Sequence, residues 1–102
     1  MPGTLTAPEL HTEESVQKSL APLWKVLFHN DDVTTMEFVV EVLMRFFHHE
    51  EDAAVRIMLT VHRKGIGLAG VYPLEIAELK QEQVISAARP YFPLRVTLER
   101  AR

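Results

Sequence analysis

Residues 23–32 read Leu23-Trp24-Lys25-Val26-Leu27-Phe28-His29-Asn30-Asp31-Asp32, and the rest of the chain is parsed from this stretch. Trp24, Val26 and Phe28 alternate with Lys25, Leu27 and His29, the period of two that belongs to a strand with one well-buried face. The strand stops at Asn30-Asp31-Asp32, which are turn formers because their short polar side chains bond readily to nearby backbone. Beyond the turn the period changes. Thr34 or Thr35 can cap a helix, and Glu37 stands at the capping-box spacing from Thr34. Met36, Val39, Val40, Leu43 and Phe47 then recur at intervals of three and four, so this helix buries one face, while Glu41 and Arg45 form an i,i+4 pair on another.

A polar stretch from His48 to Asp52 interrupts the pattern. A second helix is expected from about Glu51 to Lys64, with acids in its first turn, Arg63 and Lys64 in its last, and Gly65 placed to close it. Ile66 to Tyr72 is apolar and punctuated by glycine, as in a short strand that passes close to other backbone. Pro73 opens a third helix, Leu74 to Ala88, at a position where the missing N–H costs no hydrogen bond. Pro90 and Pro93 end it, and Leu94, Val96 and Leu98 alternate with Arg95, Thr97 and Glu99 in a closing strand. The order is βααβαβ. Three strands with three helices gathered on one face make an α+β sandwich without internal repeats.

Residues 1–21 have a different texture. They are polar, carry Pro2, Gly3 and Pro8, and space their apolar residues singly, which points to a flexible arm ahead of a domain over 22–102. The arm has no basic residue before Lys18 and no continuous apolar run, so it is not a secretory signal and is expected to stay in the mature protein.

Composition narrows function by exclusion. With 102 residues, 47% hydrophobic and 25% charged, the chain has the balance of one ordinary soluble domain. A formal net charge of -3 and the lack of a basic stripe argue against nucleic acid and against a membrane surface. No apolar run approaches the roughly 20 residues of a membrane span. The absence of cysteine removes disulfides, thiolate metal sites and thiol nucleophiles, and makes a cytoplasmic address the simplest expectation.

Five histidines and fourteen acids invite a search for catalysis, but the spacings fail. A zinc-protease helix needs a second histidine four residues after the first, and those positions hold Asp52 and Ala53 after His48 and His49. Adjacent histidines on a helix point about 100° apart, so they do not jointly face one metal, and in so polar a run both are expected to be solvated. Asn30-Asp31-Asp32 lacks the alternating oxygen ligands and the glycine of a calcium loop. Gly65, Gly67 and Gly70 lead into no phosphate-cradling helix, and Ser15, Ser19 and Ser86 lie outside any nucleophile motif. Neither an enzyme, a cofactor nor a metal is expected. A small hydrolase would announce itself by loss of activity on chelation or by labelling with a nucleophile probe.

Binding chemistry fits better. Met58, Val61 and His62 share one side of the second helix. A neutral imidazole nitrogen, an Asn carbonyl and an Asp carboxylate can together satisfy the three donors of an ammonium group, and methionines beside them give an adaptable apolar wall. The plainer alternative makes Met36, Met58 and Val61 ordinary core, His62 a helix-end cation and Asn30-Asp31-Asp32 a mere turn.

Taken in order, Lys25-Val26-Leu27-Phe28-His29-Asn30-Asp31-Asp32, Thr34-Thr35-Met36-Glu37-Phe38-Val39, Met58-Leu59-Thr60-Val61-His62, Gly70-Val71-Tyr72 and Pro93-Leu94 resemble the ClpS family of adaptors. These hand N-degron substrates to a Clp AAA+ unfoldase and its protease. The resemblance runs from Trp24 to Arg100 and implies three antiparallel strands against three helices. It assigns the α-amino site to Asn30, Asp31, Asp32 and His62, with Thr34 lining the same turn. It assigns the side-chain pocket to Met36, Val39, Met58, Val61 and Leu94, a pocket for an N-terminal Leu, Phe, Tyr or Trp with Met36 gating against β-branched side chains. Glu75 and Lys80 match positions that contact the unfoldase N-domain, of ClpA or ClpC; as plain sequence they are a solvated helix face. Val33 and Thr35 stand where relatives often have an aromatic residue and a proline, so a less rigid turn is expected here. A protein of this fold that docks on the unfoldase without holding an N-terminus is the alternative function.

Overall fold

In the computed structural model, which describes residues 21–101, the elements follow the expected order. They are β1 (Leu23–His29), α1 (Met36–Phe47), α2 (Glu51–Lys64), β2 (Ile66–Pro73), α3 (Leu74–Ala88) and β3 (Arg95–Arg100). Apart from Ala21, the arm expected over residues 1–21 lies outside the described residues.

Strand β1 forms the middle of the sheet. β1 pairs antiparallel with both neighbours in the order β2-β1-β3, with Phe28 opposite Gly67 on one side and Val96 on the other. The alternation holds: Val26 and Phe28 are completely buried, whereas Lys25, Leu27 and His29 on the other face are only partly covered. Helix α3 lies across all three strands and α2 packs on β2, so the three helices cover a single face. The core between the layers is apolar throughout, with Phe28 and Phe47 meeting edge to face at 5.6 Å, among the arrangements aromatic pairs prefer.

Gly67 is where this packing is tightest. A Cβ there would come within 2.5 Å of Val61 Cγ2 and 3.4 Å of the Ile57 carbonyl, so α2 rests on β2 at a distance only glycine allows without displacement. The register of β1 against β2 shifts between Val26 and Leu27, a bulge that leaves Ala69 unpaired and buried.

Local details depart from the expectations in two places. The cap of α1 is Thr35, whose Oγ1 accepts from the Phe38 N–H at 3.1 Å, and the Thr34–Glu37 capping box does not form because Thr34 is engaged by Asp31. His48 is exposed, as expected, and ends α1 in the left-handed region at φ 62°. His49 is not solvated: its Nε2–H donates to the Ala69 carbonyl at 2.7 Å and its ring stacks on Phe47. The bulge at Ala69 leaves that carbonyl free to accept it.

Candidate functional site

Two chain ends are tied together to make the site. Helix α2 closes at Gly65, which adopts φ 91° and returns its N–H to the Val61 carbonyl at 2.9 Å. The Gly65 carbonyl in turn accepts from the Asn30 N–H at 2.9 Å. That bond fastens the end of β1 to the end of α2 and brings the Asn30 turn to the helix that carries Met58, Val61 and His62.

The turn itself is organised by Asp31. Its Oδ1 accepts from the Val33 and Thr34 N–H groups at 2.8 and 2.6 Å, and its Oδ2 accepts from the Thr34 hydroxyl at 2.7 Å. Partial burial pushes this carboxyl up, but the bonds from Thr34 and Val33 more than offset it and hold the group below the ordinary carboxylate value. With Thr35 capping α1 immediately afterwards, the turn is braced from both ends. The looser turn expected from Val33 and Thr35 is therefore not seen in its bonding. A proline at position 35 would have no side-chain oxygen to cap with.

A cavity of about 470 Å³ opens beside this turn. Nine of the ten residues assigned from sequence to the α-amino site and the side-chain pocket line it: Asn30, Asp31, Asp32, Thr34 and His62 from the polar set, and Met36, Val39, Met58 and Val61 from the apolar set. Leu94 is the exception. It is 6% exposed and belongs to the core rather than to the cavity lining. Val33, Thr35 and Glu37 also line the cavity, unassigned beforehand although they adjoin assigned residues in the sequence.

The polar residues divide by how they are occupied. Asp31 spends both carboxylate oxygens inside the turn. Among the described residues, the side chains of Asn30, Asp32 and His62 make no hydrogen bond or ion pair, and all three are exposed. The cavity thus offers unspent acceptors at its mouth. Val39 and Val61 are buried and fixed, Met58 is half-buried, and Met36 is 42% exposed at the rim.

Glu75 is exposed in the first turn of α3. Lys80 is not a free surface cation. Its Nζ donates to the Phe46 carbonyl at 2.6 Å and lies 5.6 Å from the Tyr72 ring centroid, so it satisfies an orphan carbonyl in the last turn of α1.

Fold and cavity define a small binding domain, with acceptors gathered at one end of an apolar cleft. The family model described as "ATP-dependent Clp protease adaptor protein ClpS" matches residues 10–97. The ATP-dependent Clp protease adapter protein ClpS of Lawsonia intracellularis is 49% identical over 94 residues, which cover 91% of this chain and 84% of the relative. That of Nitratidesulfovibrio vulgaris is 48% identical over 100 residues, covering 97% and 98%. Among solved structures, Agrobacterium tumefaciens ClpS2 bound to L-phenylalaninamide matches with a TM-score of 0.75 and 39% identity over 78% of this chain and 96% of that one. The chain belongs to the ClpS family, and it is an adaptor of the Clp protease, not an enzyme.

Proposed function

We propose that this protein receives the free α-amino group and the bulky apolar side chain of an N-terminal Leu, Phe, Tyr or Trp, and delivers the substrate bearing it to a Clp AAA+ unfoldase in the cytoplasm. The observation that carries the reading is the division of labour around the cavity: Asp31 holds the turn, while Asn30, Asp32 and His62 keep their acceptors unspent beside an apolar wall. An ammonium has three donors, and these residues supply three acceptor groups. Asp31 then acts on the substrate indirectly, by setting the turn, and Thr34 does the same through its two bonds to Asp31.

The apolar part falls to Met36, Val39, Met58 and Val61, with Leu94 supporting them from the core. Burying a large apolar side chain contributes about 1.5–3 kcal/mol, and each charge-assisted hydrogen bond about 1.5–3 kcal/mol, before the cost of association is met. Binding in the micromolar range or tighter is expected. A cavity of about 470 Å³ lies within the roughly 300–1,000 Å³ typical of small-ligand sites. The ligand of the ClpS2 relative supports this assignment, since phenylalaninamide combines a free amine, a large apolar side chain and an amide in place of the next peptide bond. Met36, exposed and flexible at the rim, is suited to the role of gate.

Contact with the unfoldase N-domain, of ClpA or ClpC, is assigned to the surface around Glu75 and Lys80. Glu75 is the freer of the two, because Lys80 already serves α1.

Fluorescence anisotropy with a labelled peptide bearing N-terminal Leu, its acetylated twin and an N-terminal Val version tests the reading. Selective binding of the free Leu peptide is expected, since acetylation removes the charge and two donors. Equal binding of the acetylated peptide would sink the ammonium assignment. No binding by folded protein would leave the docking-only role.

A further inference from the structure

A second, larger depression of about 810 Å³ continues from the cavity along the seam between α1 and α2. The two share Met36, Glu37 and Met58 in their linings, so they adjoin at these side chains. Beyond that shared wall the groove is floored by Val40, Met44 and Val55, and Met44 is left 39% exposed. Three carboxylates, Glu37, Glu41 and Glu51, stand along it against one base, Arg45, whose guanidinium lies 5.3 Å from the Phe46 ring centroid.

We propose that this groove is a second subsite for the same polypeptide whose N-terminus fills the cavity, taking an apolar side chain a few residues downstream in a segment free of acidic residues. The proposal rests on the function proposed above and extends it from the first residue to the segment that follows. Continuity supplies the path, because a chain anchored by its ammonium near Asn30 and His62 leaves the cavity past Met36 and Met58 straight onto the groove. Distance supplies the register. The short connection between α1 and α2 makes them antiparallel neighbours. Met36 to Met44 is eight residues of helix, about 12 Å at ~1.5 Å per residue. An extended peptide covers that in roughly three to four residues, with alternate side chains facing the floor. Charge supplies the selection: the acidic rim repels aspartate and glutamate in this segment and tolerates neutral or basic residues. Methionines on the floor accommodate side chains of different shape, as an adaptor with several substrates requires.

The test compares ligands that fill one site or both. Phenylalaninamide reaches only the cavity; peptides of Phe followed by five alanines, with a single Leu moved through positions 2 to 6, reach the groove. On the full chain, Leu at one position or at two alternating positions is expected to tighten binding about three- to tenfold over the all-alanine parent, half burial of a Leu being worth about that much. Met44→Glu is expected to abolish that gain and leave phenylalaninamide binding and thermal stability unchanged, with Met44→Ala as the milder variant that removes most of it. A Leu scan indistinguishable from the alanine parent would overturn the proposal. So would a gain that survives Met44→Glu, or a concentration-dependent dimer that Met44→Glu disperses, since the groove would then belong to a second copy. Failure of phenylalaninamide itself to bind would refute the cavity assignment and remove the basis of the second subsite with it, a result distinguishable from failure of the scan alone.

Discussion

Removing Asp31 and removing Asp32 should have opposite consequences, although the two are adjacent and chemically identical. The Asp31 carboxylate accepts three hydrogen bonds, two from backbone N–H groups and one from the Thr34 hydroxyl. Hydrogen bonds to a charged acceptor are worth about 1.5–3 kcal/mol each when shielded. In a partly exposed turn water replaces much of that, and the closer comparison is loss of a helix cap, about 0.5–2 kcal/mol. Asp31→Ala should therefore cost about 2 kcal/mol in all, which for a domain of this size lowers Tm by about 8–16 °C. Asp32→Ala, at an exposed residue without a side-chain partner among the described residues, should stay within about 0.5 kcal/mol of the parent. Peptide binding reverses the order of directness: Asp32→Ala removes a charge-assisted bond to the ammonium and should weaken N-degron binding about 10- to 150-fold on a fully folded protein. Asp31→Asn refines the comparison, because the amide oxygen can still accept from backbone while the charge is lost. Thermal denaturation by circular dichroism and anisotropy with an N-terminal Leu peptide measure both quantities. An Asp31→Ala protein with the parental Tm, or an Asp32→Ala protein that loses as much stability as Asp31→Ala, would refute this partition.

Other consequences follow from the same contacts. Because the folded Asp31 pKa is depressed, its contribution is present above the unfolded value of ~3.9. That contribution is lost as pH falls through the folded value, and denaturant melts of the parent and Asp31→Asn between pH 6 and 3 should converge at the acid end. His29 is held below the ordinary histidine value by burial and by Arg95, and its Nε2 shares a hydrogen bond of 2.7 Å with Thr97 Oγ1. The folded state thus prefers neutral imidazole, so stability is full above ~6.5 and declines as pH falls through the lowered folded value; His29→Gln should flatten that decline in the same melts. Lys80→Ala leaves the Phe46 carbonyl unpartnered and should cost about 1 kcal/mol, read as a lower Tm. Impaired delivery by that variant reports unfoldase contact only if the loss persists well below its melting temperature. Gly70→Ala would set a Cβ within 2.6 Å of the Tyr72 hydroxyl, displacing a ring packed against Phe47, and should destabilise by about 1–3 kcal/mol in thermal melts.

The fold was legible because its signals are periodic. Val26 and Phe28 on alternate positions of β1, the apolar stripe of α1, the acids and bases at the ends of α2, and Pro73 before α3 each report a backbone geometry through side-chain spacing alone. The ammonium site was legible as a group of residues but not as a division of roles. Nothing in Asn30-Asp31-Asp32 tells which carboxylate turns inward, since that depends on the dihedral angles of the turn and on where the Thr34 hydroxyl points. The same limit applies to Thr34 and Thr35, which are equivalent as caps until Asp31 claims the first. Lys80 and His49 escaped for another reason. Their partners, the carbonyls of Phe46 and Ala69, are 34 and 20 residues away in sequence, and backbone acceptors carry no residue-type signal. Leu94 came from resemblance rather than spacing, and it is buried in the core and does not line the cavity.

A crystal structure of the full chain with L-phenylalaninamide would show directly which groups hold the ammonium. The ammonium is expected within hydrogen-bond distance, about 2.7–3.2 Å, of Asn30 Oδ1, an Asp32 carboxylate oxygen and a His62 ring nitrogen, with the phenyl ring between Met58 and Val61 and the Asp31–Thr34 bonds intact. An ammonium seated on Asp31 with those bonds broken, or a ligand bound away from the Asn30 turn, would contradict this assignment.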